Sequence, residues 1–339
     1  MDKINSTYIE NNINEGFDIL SGRKLRFNPR HNNILNTELD GEPTKSVIHS
    51  VLLKKDIDVY SIFKRMQLRN PDNPKAKRTG DTNPVIYSLK GEHGWKFEND
   101  GSEEQFWRTF EHILRRWLRE HKNEFSTAVM VPTSSNINRR IMDMIRNLSE
   151  EVGIKSFITK GLVKLDTTEI ETMALDDQSY FYKFWTERGK YDEAFDKLMG
   201  YLDDMDVASG GTGTFKSHMI QDMALRKTVI ETIKWDDEFK GRYADELNSS
   251  NVLIVDDSIT NGFSAESTIK AISDLYMPQS VSVLTMFSRL YDADGREIKR
   301  KEDVPDWILD EGYVARRKIY NEVMRQMAKA TKDLLDNMD

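Results

Sequence analysis

The sequence predicts an α/β protein built on an open parallel sheet flanked by helices, with an N-terminal extension, a long insertion and a C-terminal helix. Three observations predict it. Short apolar runs alternate with amphipathic stretches through the middle of the chain, the pattern of a parallel sheet with crossover helices. One run, NVLIVDD (251–257), ends in two adjacent acids, followed by a glycine-containing turn and a helical pattern. A long excursion separates this run from the strand before it, and a long loop inside a compact domain is usually functional.

The 339 residues suffice for one large domain or two modest ones with a sizeable core. Apolar residues make up 38% and charged residues 31%, ordinary for a soluble globular protein. A net charge of -8 argues against a surface coated for duplex binding, and a nucleic-acid partner is not expected. The absence of cysteine excludes disulfides, thiolate nucleophiles and Cys-based zinc sites. The six histidines show no HExxH spacing. The N-terminus lacks the apolar core of a signal peptide and no run approaches a membrane span, so a cytoplasmic protein with no membrane partner is expected.

Residues 1–45 are polar and read as loops and short elements. The spacing over 46–66 suits a helix, or a strand followed by a helix. Residues 68–84 carry three prolines and the basic cluster Lys75, Lys77, Arg78, and read as a solvated loop. Together 1–84 form an N-terminal extension or hood. Residues 85–97 suit a hairpin around Gly91 and Gly94. The clearest helix is 102–121, capped by Ser102 with Gln105 completing a capping box. Its stripe of Phe106, Trp107, Phe110, Ile113, Leu114, Trp117 and Leu118 is core. Strands follow at 126–132 and 156–165, with a helix at 138–153 ending on Gly153. The insertion at 175–208 holds the aromatic stretch 179–185 and an acidic helical segment. After the strand at 251–257 come a helix at 264–276 and a strand at 280–290. The core thus spans 85–290, and 291–339 form a C-terminal hairpin and an amphipathic helix, the latter offering a homodimer contact.

The acid pair gives the site its chemistry. Ligands of open parallel sheets bind beyond the C-terminal strand ends. Two carboxylates at a poorly solvated strand tip need hydroxyls or a cation, and the adjacent hydroxyls of a ribose match them. The turn Thr260-Asn261-Gly262-Phe263-Ser264 leads into a helix N-terminus, where backbone amides and hydroxyls suit a phosphate.

VLIVDDSITNGFS (252–264) resembles the phosphoribosyl diphosphate (PRPP) signature of the type I phosphoribosyltransferase family. It departs from that pattern at Ser258, Asn261 and Phe263, where the family has an apolar residue, a hydroxyl and a small residue. Two further stretches are similar to the competence-protein-F-like branch. VMVPTSSNINRR (129–140) is similar to its pyrophosphate loop, though it reads equally as a hydroxyl-rich βα turn. FKSHMIQDMALRK (215–227) is similar to its basic-x-Thr-x-x-Gln-x(4)-Arg stretch through Lys216, Gln221 and Arg226, with His218 in place of the Thr.

The resemblance implies a PRPP-dependent glycosyltransferase of nucleotide metabolism. It would use Mg²⁺, bound mainly through PRPP, to join a nitrogenous base to C1′ and release pyrophosphate. Asp256 and Asp257 would hold the ribose hydroxyls, and 260–264 the 5′-phosphate. Thr133, Ser134, Ser135 and Arg139 (or Arg140) would hold the pyrophosphate, with Lys216 and Asp256 catalytic. Tyr87, Trp95 or the aromatics at 180–185 would stack on the base. The alternatives are a non-catalytic regulator that binds a phosphoribosyl ligand, and a PRPP-dependent enzyme of a nucleotide or nucleic-acid modification pathway. GGTGTFKS (210–217) fails as a Walker A loop, because Phe215 stands where glycine is required. It reads instead as a mobile lid over 205–220. DADGREIKRKED (292–303) fails as a calcium loop.

Overall fold

The computed structural model describes residues 16–20, 22–28, 43–50, 52–64, 83–133, 135–211, 213, 215–216, 219–259 and 262–288. The expected C-terminal hairpin and helix and the 75–78 cluster lie outside them. The chain forms two compact units, one from residues 1–42, 63–112 and 297–339, the other from 43–62 and 113–296.

In the first unit, β1 (Gly16–Leu20) and β2 (Lys24–Asn28) form an antiparallel hairpin, and β2 pairs in parallel with the short β5 (Lys96–Phe97). Phe17 packs on Phe27, Phe97 and Phe106 at centroid distances of 5.8, 5.6 and 6.4 Å. The hairpin expected over 85–97 is instead helix α1 (Asn83–Lys90) followed by β5. Proline is tolerated in a first helical turn, so Pro84 marks the start, and Gly91 at φ 66° ends the helix. The long helix α2 is Asp100–Glu120. The seven residues of its apolar stripe are all buried. Its cap is not Ser102: the Asn99 carboxamide accepts from the Ser102 amide at 2.9 Å, and Ser102 Oγ accepts from the Phe27 amide at 3.1 Å.

The second unit carries a six-stranded sheet in the order β3-β4-β11-β10-β6-β7. Its strands are β3 (Thr44–Ser50), β4 (Lys55–Lys64), β6 (Thr127–Met130), β7 (Ser156–Ile158), β10 (Asn251–Ile259) and β11 (Ser280–Ser288). β10 pairs in parallel with both β11 and β6, and β6 with β7. The helices are α3 (Ile137–Asn147), α4 (Ser149–Val152), which ends on Gly153 at φ 86°, and α10 (Phe263–Leu275). The expected alternation of strands and helices is present. The described residues of 46–66 contain no helix, however: β3 and β4 are an antiparallel hairpin. Ile57, Val59 and Ser61 are buried, alternating with half-buried Asp58 and Tyr60, a period of two. The sheet thus takes two strands from within the first 84 residues.

The strand expected at 156–165 breaks at Gly161 (φ 98°). Only β7 joins the main sheet. β8 (Leu162–Lys164) pairs with β9 (Ile233–Trp235) in a small antiparallel sheet. Between β8 and β9 lie α5 (Thr167–Leu175), α6 (Tyr180–Thr186), α7 (Tyr191–Ala208) and α8 (Met223–Arg226). They share a core of their own around Ile170, Phe181, Leu198, Leu202, Phe215 and Leu225. A short helix, α9 (Ala244–Leu247), precedes β10. Among the described residues no helix is long and apolar enough to cross a membrane.

One buried acid fastens the hairpin. Glu266, on the first turn of α10, is 2% exposed. Its Oε1 accepts from Ser50 Oγ at 2.7 Å and from the Leu52 amide at 2.9 Å. Glu266→Ala leaves both donors without their acceptor and should lower stability by about 2–4 kcal/mol in urea melts. Glu266→Gln keeps an acceptor oxygen and should recover roughly half of that loss. An Ala variant as stable as wild type removes the fastening role.

Candidate functional site

The chain changes direction at β6. From β6 it passes through α3 to β7 on one side, then returns after the helical layer to β10 on the other. A parallel sheet whose strand order reverses opens a crevice at the carboxyl ends of the two strands beside the reversal. Here those strands are β6 and β10.

Both acids of the opening motif sit at this point. β10 is buried along almost its whole length, as suits an apolar run at the centre of a parallel sheet. Asp256 and Asp257, at its carboxyl end, are each 7% exposed. Buried carboxylates must be solvated by donors, and the surroundings supply them. The Asp257 amide donates to Asp256 Oδ1 at 2.9 Å, and Ser258 Oγ donates to Asp257 Oδ1 at 2.9 Å.

The loop after β6 closes on the same pair. Val131 continues the ladder, donating to the Val255 carbonyl at 3.0 Å. Ser135 Oγ then reaches Asp257 Oδ2 at 3.3 Å, and Thr133 Oγ1 lies 3.4 Å from Ser135 Oγ. The expected pyrophosphate loop and the expected ribose acids are thus in direct contact. Arg139 is exposed in the first turn of α3, whose N-cap residue Asn136 makes no side-chain capping bond. Helix amides left uncapped in this way suit an anion.

At the start of α10, Gly262 takes φ 78°, the left-handed conformation that favours glycine. A Cβ there would lie 2.7 Å from Ile48 Cδ1 on β3, so the turn is pressed against the hairpin. Phe263 and Ser264 are half-buried in the first turn of the helix. Ser134, Thr260 and Asn261 lie outside the described residues.

Other expected site residues make contacts of their own. Lys216 is exposed beside the helical layer, where its amide points at Met205 Sδ, 3.4 Å away. Its neighbour Phe215 is 5% exposed in that layer's core. The Arg226 guanidinium donates to the Ile220 carbonyl, which makes it a brace for the 220–226 turn. The stacking candidates pack within their own units. Trp95 and Phe181 are buried, Tyr87 meets the His93 ring at 4.5 Å, and Trp185 Nε1 donates to Thr228 Oγ1 at 2.9 Å.

No family model, curated protein or solved structure matches this chain. The cluster gathers acceptors and donors that a ligand carrying hydroxyls and an anionic group could use. Carboxylates accept from hydroxyls, flanking hydroxyls donate, and an open helix terminus suits an anion. Among the described residues no group of three or more His, Asp or Glu side chains is gathered around a metal position.

One residue of the cluster was missed in the sequence. Asn138 is fully buried, and its Nδ2 lies 3.1 Å from the Val131 carbonyl and 3.5 Å from Asp256 Oδ1. The signal was there: it shares the buried face of α3 with Ile141, Met142 and Ile145, the one polar residue at those spacings.

Gly262→Ala should cost about 1–2 kcal/mol for the left-handed backbone alone, with a further cost from the Ile48 contact. Ile48→Ala in the same chain should relieve only the second part. A double-mutant cycle in chemical denaturation measures it. Strict additivity of the two changes removes the contact.

Proposed function

We propose that this chain is a phosphoribosyltransferase that binds PRPP at the β6–β10 crevice. The observation that carries the reading is the 3.3 Å contact between Ser135 and Asp257. It joins a hydroxyl-rich loop and a buried acid pair at a strand reversal, where a ligand carrying hydroxyls and phosphates would find partners for both.

In this reading Asp256 and Asp257 accept hydrogen bonds from the ribose hydroxyls and fix the sugar ring. The turn 260–264 and the N-terminus of α10 bind the 5′-phosphate. Thr133, Ser134, Ser135 and Arg139 hold the pyrophosphate. The lone pair of a nitrogenous base attacks C1′, the bond from C1′ to the pyrophosphate oxygen breaks, and that oxygen leaves with the electron pair. The base nitrogen then gives its proton to water. Positive charge builds on the sugar and negative charge on the leaving group, so fixed charges and exclusion of water do most of the work. Two neighbouring carboxylates are hard oxygen donors and fit a Mg²⁺ ion carried in on the donor. That ion would neutralise pyrophosphate charge. Lys216, on the glycine-rich segment that follows α7, would add a cation as the segment closes.

Phe263 favours a second reading, in which the chain binds a phosphoribosyl ligand and regulates without chemistry. A large side chain beside Gly262 narrows the room for a phosphate. Pyrophosphate release decides between the two. PRPP with a panel of nucleobases should yield pyrophosphate in a base-dependent way, whereas the regulator binds ribose 5-phosphate and releases none.

Asp256→Asn combined with Asp257→Asn should weaken ribose 5-phosphate binding about a hundredfold or more in calorimetry, with the far-ultraviolet dichroism unchanged. Equal affinity in that variant discards the ribose assignment. Lys216→Ala should lower turnover at least about tenfold while leaving ribose 5-phosphate affinity within about twofold, because that ligand lacks the pyrophosphate.

A further inference from the structure

Asn138 holds an atom that the fold leaves unserved. Its Nδ2 faces two acceptors, the Val131 carbonyl at 3.1 Å and Asp256 Oδ1 at 3.5 Å. Turning the amide over would set oxygen against oxygen, so the chemistry fixes which end is which. The Oδ1 end is buried and has no hydrogen-bond partner. Buried polar atoms in native proteins are satisfied with few exceptions, and an exception calls for a reason.

Three of the contacts in the same place are long. Ser135 Oγ to Asp257 is 3.3 Å, Thr133 Oγ1 to Ser135 Oγ is 3.4 Å and Asn138 to Asp256 is 3.5 Å. Hydroxyl donors in proteins usually sit at roughly 2.7–2.8 Å from their acceptors. By contrast the Ser50–Glu266 bond, more deeply buried in the same unit, is 2.7 Å. Beside the 2.9 Å bonds that the Asp257 amide and Ser258 Oγ make to the pair, the contacts from Ser135 and Asn138 are long, and these can be exchanged for better ones at small cost.

We propose that Asn138 is a third element of the sugar site. Its amide nitrogen orients Asp256, and its Oδ1 accepts a hydrogen bond from a hydroxyl of the bound pentose. The ligand hydroxyl supplies the donor that the free protein lacks. As it enters, it displaces the Ser135 hydroxyl from the acid pair. Asn138 thereby sets selectivity for hydroxylated over deoxy sugars. The inference rests on the phosphoribosyl reading above.

The test is calorimetry with ribose 5-phosphate, 2-deoxyribose 5-phosphate and 3-deoxyribose 5-phosphate. Wild-type protein should prefer ribose 5-phosphate over at least one deoxy sugar. Asn138→Leu should narrow that preference about fivefold to tenfold, the effect of one hydrogen bond. Asn138→Asp keeps an acceptor oxygen in place beside Asp256. It should bind every sugar more weakly at neutral pH, through like-charge repulsion, and keep the wild-type ranking. A purely structural asparagine would leave the preference unchanged in the Leu variant, and that result overturns the inference while the phosphoribosyl reading stands. Equal binding of the three sugars by wild type overturns it without any variant. If the Leu variant does not fold, loss of the ranking in the Asp variant overturns it and retention supports it. Wild-type protein that binds none of the sugars removes the phosphoribosyl reading and this inference together.

Discussion

The arrangement around β10 follows from one constraint: two adjacent carboxylates are buried at the tip of the central strand. An isolated buried carboxylate is too costly to leave unpartnered. Donors must therefore be brought to the tip, and no single element can bring enough. The strand offers its own Asp257 amide and the Ser258 hydroxyl. The loop after β6 offers Ser135, and the buried face of α3 gives up an apolar position to Asn138. The crossing from β6 through α3 thus serves the acids as well as the sheet.

The far side of the same crevice is held by a different hand. The turn into α10 leans on Ile48, and Glu266 one turn later ties down the residues that join β3 to β4. A sheet edge that is remote in sequence thereby shapes a loop expected to hold a phosphate. Changes in the β3–β4 hairpin should then be felt at Gly262 and the start of α10.

The parallel core was legible because its signals are local. β6, β10, β11, α3 and α10 each carry an apolar pattern that one period explains, although β10 runs on past the acids to Ile259, where the sequence suggested an end at 257. The failures share a cause. Whether 46–66 forms a helix or a hairpin depends on its turn, and that turn carries Lys54 at φ 52°, a left-handed residue that composition does not announce. Residues 85–97 hold two glycines with positive φ that mark a helix end and a connection, where a hairpin reading needs one of them as its turn. Ser102 has the chemistry of a cap, but Asn99 stands three residues earlier and leaves the Ser102 hydroxyl to the Phe27 amide. At the candidate site, the acid pair stood out by residue type and order, and Ser135 entered through the resemblance; their contact could not be read from either. Asn138 was readable only as a polar residue on an apolar helix face, since its partner Asp256 lies 118 residues away. Arg226, whose spacing entered the resemblance, donates to the Ile220 carbonyl six residues earlier, a contact that spacing does not announce.

The fastening between Ser50 and Glu266 spans 216 residues of chain. Contacts of such separation form slowly, because loop closure precedes any gain from them. On a ribosome the β3–β4 hairpin emerges early, yet its neighbour in the sheet is β11, whose last residue is Ser288. Through most of synthesis the hairpin therefore has no sheet to join, and it presents an unpaired edge of the kind that attracts other strands. Chains halted before β11 would carry that edge permanently, which makes early termination products of this protein candidates for aggregation and chaperone capture.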